Sequence, residues 1–96
     1  MNEIQRQWDF VLNHPEEDIR RIAERASKEP ALRRLFPYVS MRNLRFSRAT
    51  TYPYDPLPYI LTVEPGDRYE ARAPDNAPLF TGSLEEVVEE LARRLG

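Results

Sequence analysis

Apolar positions recur with two different periods along the chain, and the change from one to the other divides it. Ile4, Trp8, Val11 and Leu12 fall on one stripe of a helix, and Asn2 stands where a side chain can cap it, so a first helix is expected to about Leu12. Asn13-His14-Pro15 interrupts that stripe. Pro15 suits the first position of a helix, and Glu16, Glu17 and Asp18 complement the positive end of its dipole. A second helix is therefore expected from Pro15 to about Lys28, buried along Ile19, Ile22, Ala23 and Ala26. Pro30 ends it, because the residue before a proline is driven out of the α region, and begins a short helical turn carrying Leu32, Leu35 and Phe36 that Pro37 closes.

After Pro37 the period becomes two. Leu44 and Phe46 alternate with Asn43, Arg45 and Ser47, which predicts a half-buried strand over Asn43–Arg48 whose polar members, Arg45 and Ser47, face solvent. Pro53, Pro56 and Pro58, with Tyr52, Tyr54 and Leu57 between them, then exclude helix and ladder from Ala49–Pro58, leaving a stiff extended loop held by its aromatic side chains. Tyr59–Val63 is a second strand. Glu64-Pro65-Gly66-Asp67 has the residues of a type II turn, and Tyr69, Ala71 and Ala73 alternate with charges on a third strand over Arg68–Ala73. Pro74–Ala77 turns the chain again into a short strand near Leu79–Thr81. Ser83 with Glu86 forms a capping box, and Leu84, Val87, Val88, Leu91 and Leu95 make the stripe of a closing helix. The expected fold is α+β: two N-terminal helices, a three- or four-stranded antiparallel meander and a C-terminal helix, with the helices on one face of the sheet.

Composition narrows the class without naming a reaction. A chain of 96 residues is expected to form one domain, 1–96, that buries roughly 60–68% of its extended surface. It has no cysteine, which removes disulfides and thiolate chemistry, and no apolar run of the length of a signal peptide or a membrane span, so a cytoplasmic protein is expected. The net charge of −2 is unevenly spread: residues 1–30 carry five bases and seven acids, 31–63 five bases and one acid, and 64–96 four bases and eight acids. The basic middle is all arginine, Arg33, Arg34, Arg42, Arg45 and Arg48, whose planar forks fit carboxylates and stack on rings.

Catalytic and cofactor signatures are weak. His14 lies at a helix break with no nucleophile beside it in sequence and reads as a capping or surface residue. One histidine without cysteine does not make a conventional zinc site, and three scattered glycines do not make a phosphate-cradling loop. Glu85, Glu86, Glu89 and Glu90 fit the polar face of an amphipathic helix. No catalytic residue, metal or cofactor is therefore assigned.

Recognition is the stronger reading, because arginine and tyrosine dominate interface energetics and this chain gathers them between Arg42 and Tyr59. The expected ligand-binding set is Arg42, Arg45, Ser47, Arg48, Tyr52 and Tyr54, on one strand and the loop that follows it. Its charge suits an acidic peptide or protein, or an anionic small molecule. Nucleic acid fits less well, since the whole chain has a pI near 5.4 and acidic flanks that repel phosphate.

The run Pro30-Ala-Leu-Arg-Arg-Leu-Phe-Pro-Tyr38, Ser40, Leu44-Arg-Phe-Ser-Arg48 and Tyr52-Pro53-Tyr54 resembles a small, chiefly actinobacterial family of uncharacterised proteins labelled natural-product biosynthesis proteins. Weaker similarity continues to the closing helix. Where that family has an aromatic after Tyr-Pro-Tyr, this chain has Asp55-Pro56-Leu57. The resemblance implies an accessory domain without an assigned reaction. Three expectations follow: a non-enzymatic binding or adaptor domain; a small tailoring enzyme or substrate-binding component, using Ser47, Arg45, Arg48 and Tyr54 around an anionic group in a pocket near Arg48 and Tyr54; and a homodimer built on Trp8 and the small residues of the second helix.

Overall fold

The structure is a computed structural model that describes residues 2–63 and 66–96. Helix α1 (Glu3–Leu12) is capped by Asn2, whose side chain accepts from the Gln5 amide at 2.8 Å. Helix α2 runs Glu17–Ala26 and starts later than the proline pattern predicts. His14 Nδ1 accepts from the Glu16 amide at 3.0 Å, so His14 and Pro15 form a turn ahead of the helix and Glu16, with extended backbone, becomes the cap position. A single turn, α3 (Pro30–Arg33), follows. Helix α4 (Leu84–Leu95) carries the expected capping box between Ser83 and Glu86.

The class is α+β with an antiparallel meander, but the sheet has five strands in sequence order, where three or four were expected: β1 (Phe36–Ser40), β2 (Asn43–Ser47), β3 (Tyr59–Val63), β4 (Arg68–Arg72) and β5 (Pro78–Gly82). The additional strand is β1: Phe36 was expected on a helical turn closed by Pro37, and no element was expected over Tyr38–Ser40. Pro37 can sit in it because β1 is an edge strand, where a missing N–H removes no ladder bond on the open side. Its hairpin to β2 was also hidden. The two-residue turn Met41-Arg42 has φ of +55° and +65°, a conformation that usually announces itself as Asn-Gly. The type II turn expected at Glu64-Pro65-Gly66-Asp67 includes two residues outside the described ones, while Gly66 adopts φ +111°.

Register sorts the sheet residues onto two faces. Phe46, Leu44, Ile60, Tyr69 and Ala71 align on one of them and share a continuous core with Trp8, Val11, Ile22, Ala23, Ala26, Leu32, Val87, Val88 and Leu91. Trp8 is fully buried, its ring 6.3 Å from that of Phe46, and its Nε1 donates to the Leu35 carbonyl at 3.0 Å. Trp8, Ala23 and Ala26, on which the homodimer expectation rested, therefore lie inside the core of the single chain. Arg25 ties α2 to α4, donating to the two oxygens of Glu85 at 2.6 and 2.8 Å and to Glu29 at 2.9 Å. Among the described residues no helix is long and apolar enough to cross a membrane.

Candidate functional site

The second face of the sheet is built by the same alternation that builds the core. Each odd step along β1 and β2 that places Leu44 and Phe46 inward places Phe36, Tyr38, Arg45 and Ser47 on the opposite side. Tyr38 is registered opposite Arg45, and Tyr59 opposite Arg72. The Arg45 guanidinium carbon lies 3.9 Å from the centre of the Tyr59 ring, joining the two pairs. Four adjacent strands thus present Tyr38, Arg45, Tyr59 and Arg72 as one alternating row of rings and cations.

A loop closes one side of this row. Tyr54 stacks on Tyr38 with ring centres 4.3 Å apart and on Phe36 at 5.5 Å, and Tyr52 stands edge-on to Tyr54 at 6.0 Å. Short hydrogen bonds hold the loop in place. Ser47 Oγ accepts from the amides of Ala49 and Asp55, each at 3.0 Å, and Asp55 Oδ2 accepts from the Arg48 amide at 2.7 Å. The expectation that Ser47 faces solvent is therefore corrected: its exposure is 0%, because the loop folds back over it. An oxygen that already accepts two amides in a closed turn anchors the loop; it is not presented to a substrate.

Charge is unevenly satisfied across the row. Arg72 pairs with Glu70 and the Tyr59 hydroxyl donates to Asn76 Oδ1, so that end is internally neutralised. Thr81 also donates to Glu70, at 3.4 Å. Arg45 differs. It forms no ion pair among the described residues, and its Nε is buried without a hydrogen-bond partner. Burial raises the Tyr38 phenol above its ordinary value, and the Arg45 guanidinium beside it opposes that rise.

Of the six residues expected to bind a ligand, the structure gathers Arg45, Ser47, Tyr52 and Tyr54 around one patch. Arg48 enters it through its backbone, with an exposed side chain. Arg42 lies at the other end of β2, at the hairpin tip, 3.6 Å from Glu16. Sequence reasoning missed Tyr38, Tyr59 and Arg72. The last two were within reach: a turn centred on Pro65-Gly66 sets residues 59 and 72 opposite each other. Tyr38 was not, because its strand went unseen.

Two surface cavities are lined by other residues: one of about 200 Å³ by Asp18, Met41, Arg42, Asn43, Leu61 and Thr62, and one of about 150 Å³ by Glu17, Arg20, Arg21 and Glu24. Neither touches Arg48 or Tyr54, where a pocket was expected for a tailoring enzyme. Among the described residues no three His, Cys, Asp or Glu side chains converge as a metal cage requires.

Residues 2–95 match a family described as "Family of unknown function (DUF6193)", and the chain belongs to that family. No curated protein and no solved structure matches it.

Proposed function

We propose that this protein is a non-enzymatic binding or adaptor domain of the cytoplasm, which captures an acidic peptide segment of a protein partner on the sheet face turned away from its helices. Arg45 carries this reading. A guanidinium stacked on a ring, with a buried Nε that lacks a partner and with no ion pair among the described residues, is a cation in a partly desolvated setting. A carboxylate that reaches its terminal nitrogens forms a charge-assisted hydrogen bond, roughly twice as strong as a neutral one. Around it, Tyr38, Tyr52 and Tyr54 supply rigid aromatic area of the sort that dominates binding surfaces.

A peptide is favoured over an anionic small molecule because the row runs across four strands, a length that an extended segment spans. The resemblance carried by Leu44-Arg-Phe-Ser-Arg48 is our reason for reading the partner as a component of bacterial natural-product biosynthesis. Fluorescence anisotropy with a labelled glutamate decapeptide and its glutamine counterpart tests the surface. The glutamate peptide is expected to bind and to weaken by about tenfold or more with Arg45→Met, the loss of one charge-assisted contact. Equal binding of the two peptides, or an unchanged affinity in Arg45→Met, overturns the reading.

A further inference from the structure

We infer that the chain carries a second binding site, for a zwitterion of the size of a free amino acid, in the wedge where the sheet opens between the β1–β2 hairpin and β3. The opening is visible in the register. β3 pairs with β4 along its whole length, Tyr59 to Val63, whereas its pairing with β2 is registered only at Leu44 and Ile60. Past that pair the hairpin tip and the end of β3 part, and the cavity of about 200 Å³ fills the gap, with Asp18 of α2 on its wall.

The lining selects the ligand. Arg42 and Asp18 offer opposite charges to one small space. Arg42 is 75% exposed, and its contact with Glu16, at 3.6 Å, is too long for a hydrogen bond. The Asp18 carboxylate pairs with no cation among the described residues. Thr62 and Leu61 complete the same wall. A carboxylate directed at Arg42 with an ammonium directed at Asp18 meets both charges. A simple anion or a simple cation leaves one of them facing its own sign. The volume lies below the roughly 300 Å³ at which sites for larger ligands begin, which sets the size at a single amino acid. Arg42 is held at the rim by the positive-φ turn, and Asn43 adds an amide beside it.

The site is independent of Arg45, and its test separates the two. Amide NMR spectra of the ¹⁵N-labelled full chain are recorded during titration with each common free L-amino acid, then with the N-acetyl and the carboxamide derivative of any that bind. At least one free amino acid is expected to give saturable shifts at Arg42, Asn43, Leu61 and Thr62. Both derivatives, and the variants Asp18→Asn and Arg42→Gln, are expected to weaken it about tenfold or more, whereas Arg45→Met leaves it unchanged. The proposal is overturned by no saturable shift with any free amino acid, by equal binding of either derivative, or by an unchanged affinity in Asp18→Asn.

Discussion

Tyr59 on one face of the sheet and Leu44 on the other are equally buried, at 1% and 0% exposure, yet they belong to different kinds of structure. On the core face Leu44, Phe46, Ile60 and Ala71 meet the carbon side chains of the helices, and the indole N–H of Trp8 has its carbonyl partner at Leu35. On the second face rings alternate with cations. There the cover is a proline-rich loop held by Ser47 and Asp55, and one guanidinium donor has no partner. Depth of burial therefore does not separate core from site in this molecule. What separates them is the cover each meets: the carbon side chains of the helices on the core face, and stacked rings with a guanidinium under a proline-rich loop on the other.

The contrast can be broken at either face, and the core should give the larger effect. Trp8→Ala removes the largest buried side chain together with its hydrogen bond, and is expected to cost about 3–5 kcal/mol in urea denaturation. A loss no larger than that of an exposed residue would show that the helices and sheet are not held by this cluster.

Ser47→Ala comes next. It strips the acceptor from two amides under the loop and is expected to cost about 1–3 kcal/mol. The sharper readout is hydrogen exchange: the amides of Ala49 and Asp55 should exchange faster while those of Leu44 and Ile60 keep their protection relative to global unfolding. Equal loss on both faces would mean that the loop is part of the core and not a separate cover.

The smallest effect is that of acid. Arg25 holds the Glu85 carboxyl below its ordinary value of 4.5, the Ser83 backbone amide does the same for Glu86, and Arg93 does so for Glu90. Carboxyls depressed in the folded state contribute stability that is complete above their unfolded value and is lost as pH falls through the lower folded value. Stability should thus be flat from neutral pH to about 5 and decline below 4.5. Arg25→Ala should remove the Glu85 share of that decline, as measured by denaturation midpoints across the acid range.

Much of the core face was legible in the sequence because it obeys simple periods. The stripes Ile19-Ile22-Ala23-Ala26 and Val87-Val88-Leu91, the alternation of Leu44 with Phe46, and the Ser83 capping box all occur where local physics puts them. The second face was legible only by half. Alternation turned Arg45 away from the core, but it does not report that the loop will fold back over Ser47, since that depends on Asp55 reaching back 7 residues to the Arg48 amide. Strand β1 escaped for two reasons in its own residues: Pro37 looks like a breaker when the strand's place at the sheet edge is unknown, and Met41-Arg42 gives no sign of the left-handed turn it makes. With β1 went Tyr38, and with Tyr38 the row that organises the site.

The central claim is that Arg45 is retained for what it can bind and not for what it holds together. Denaturant titration of Arg45→Met tests this in one measurement. Methionine keeps most of the stem and removes the unmatched donor and its charge. The expected midpoint is equal to or above that of the unaltered chain. A midpoint lowered by the equivalent of about 1–2 kcal/mol, the worth of a desolvated cation–π contact, would show instead that the stack on Tyr59 is structural, and would contradict the claim.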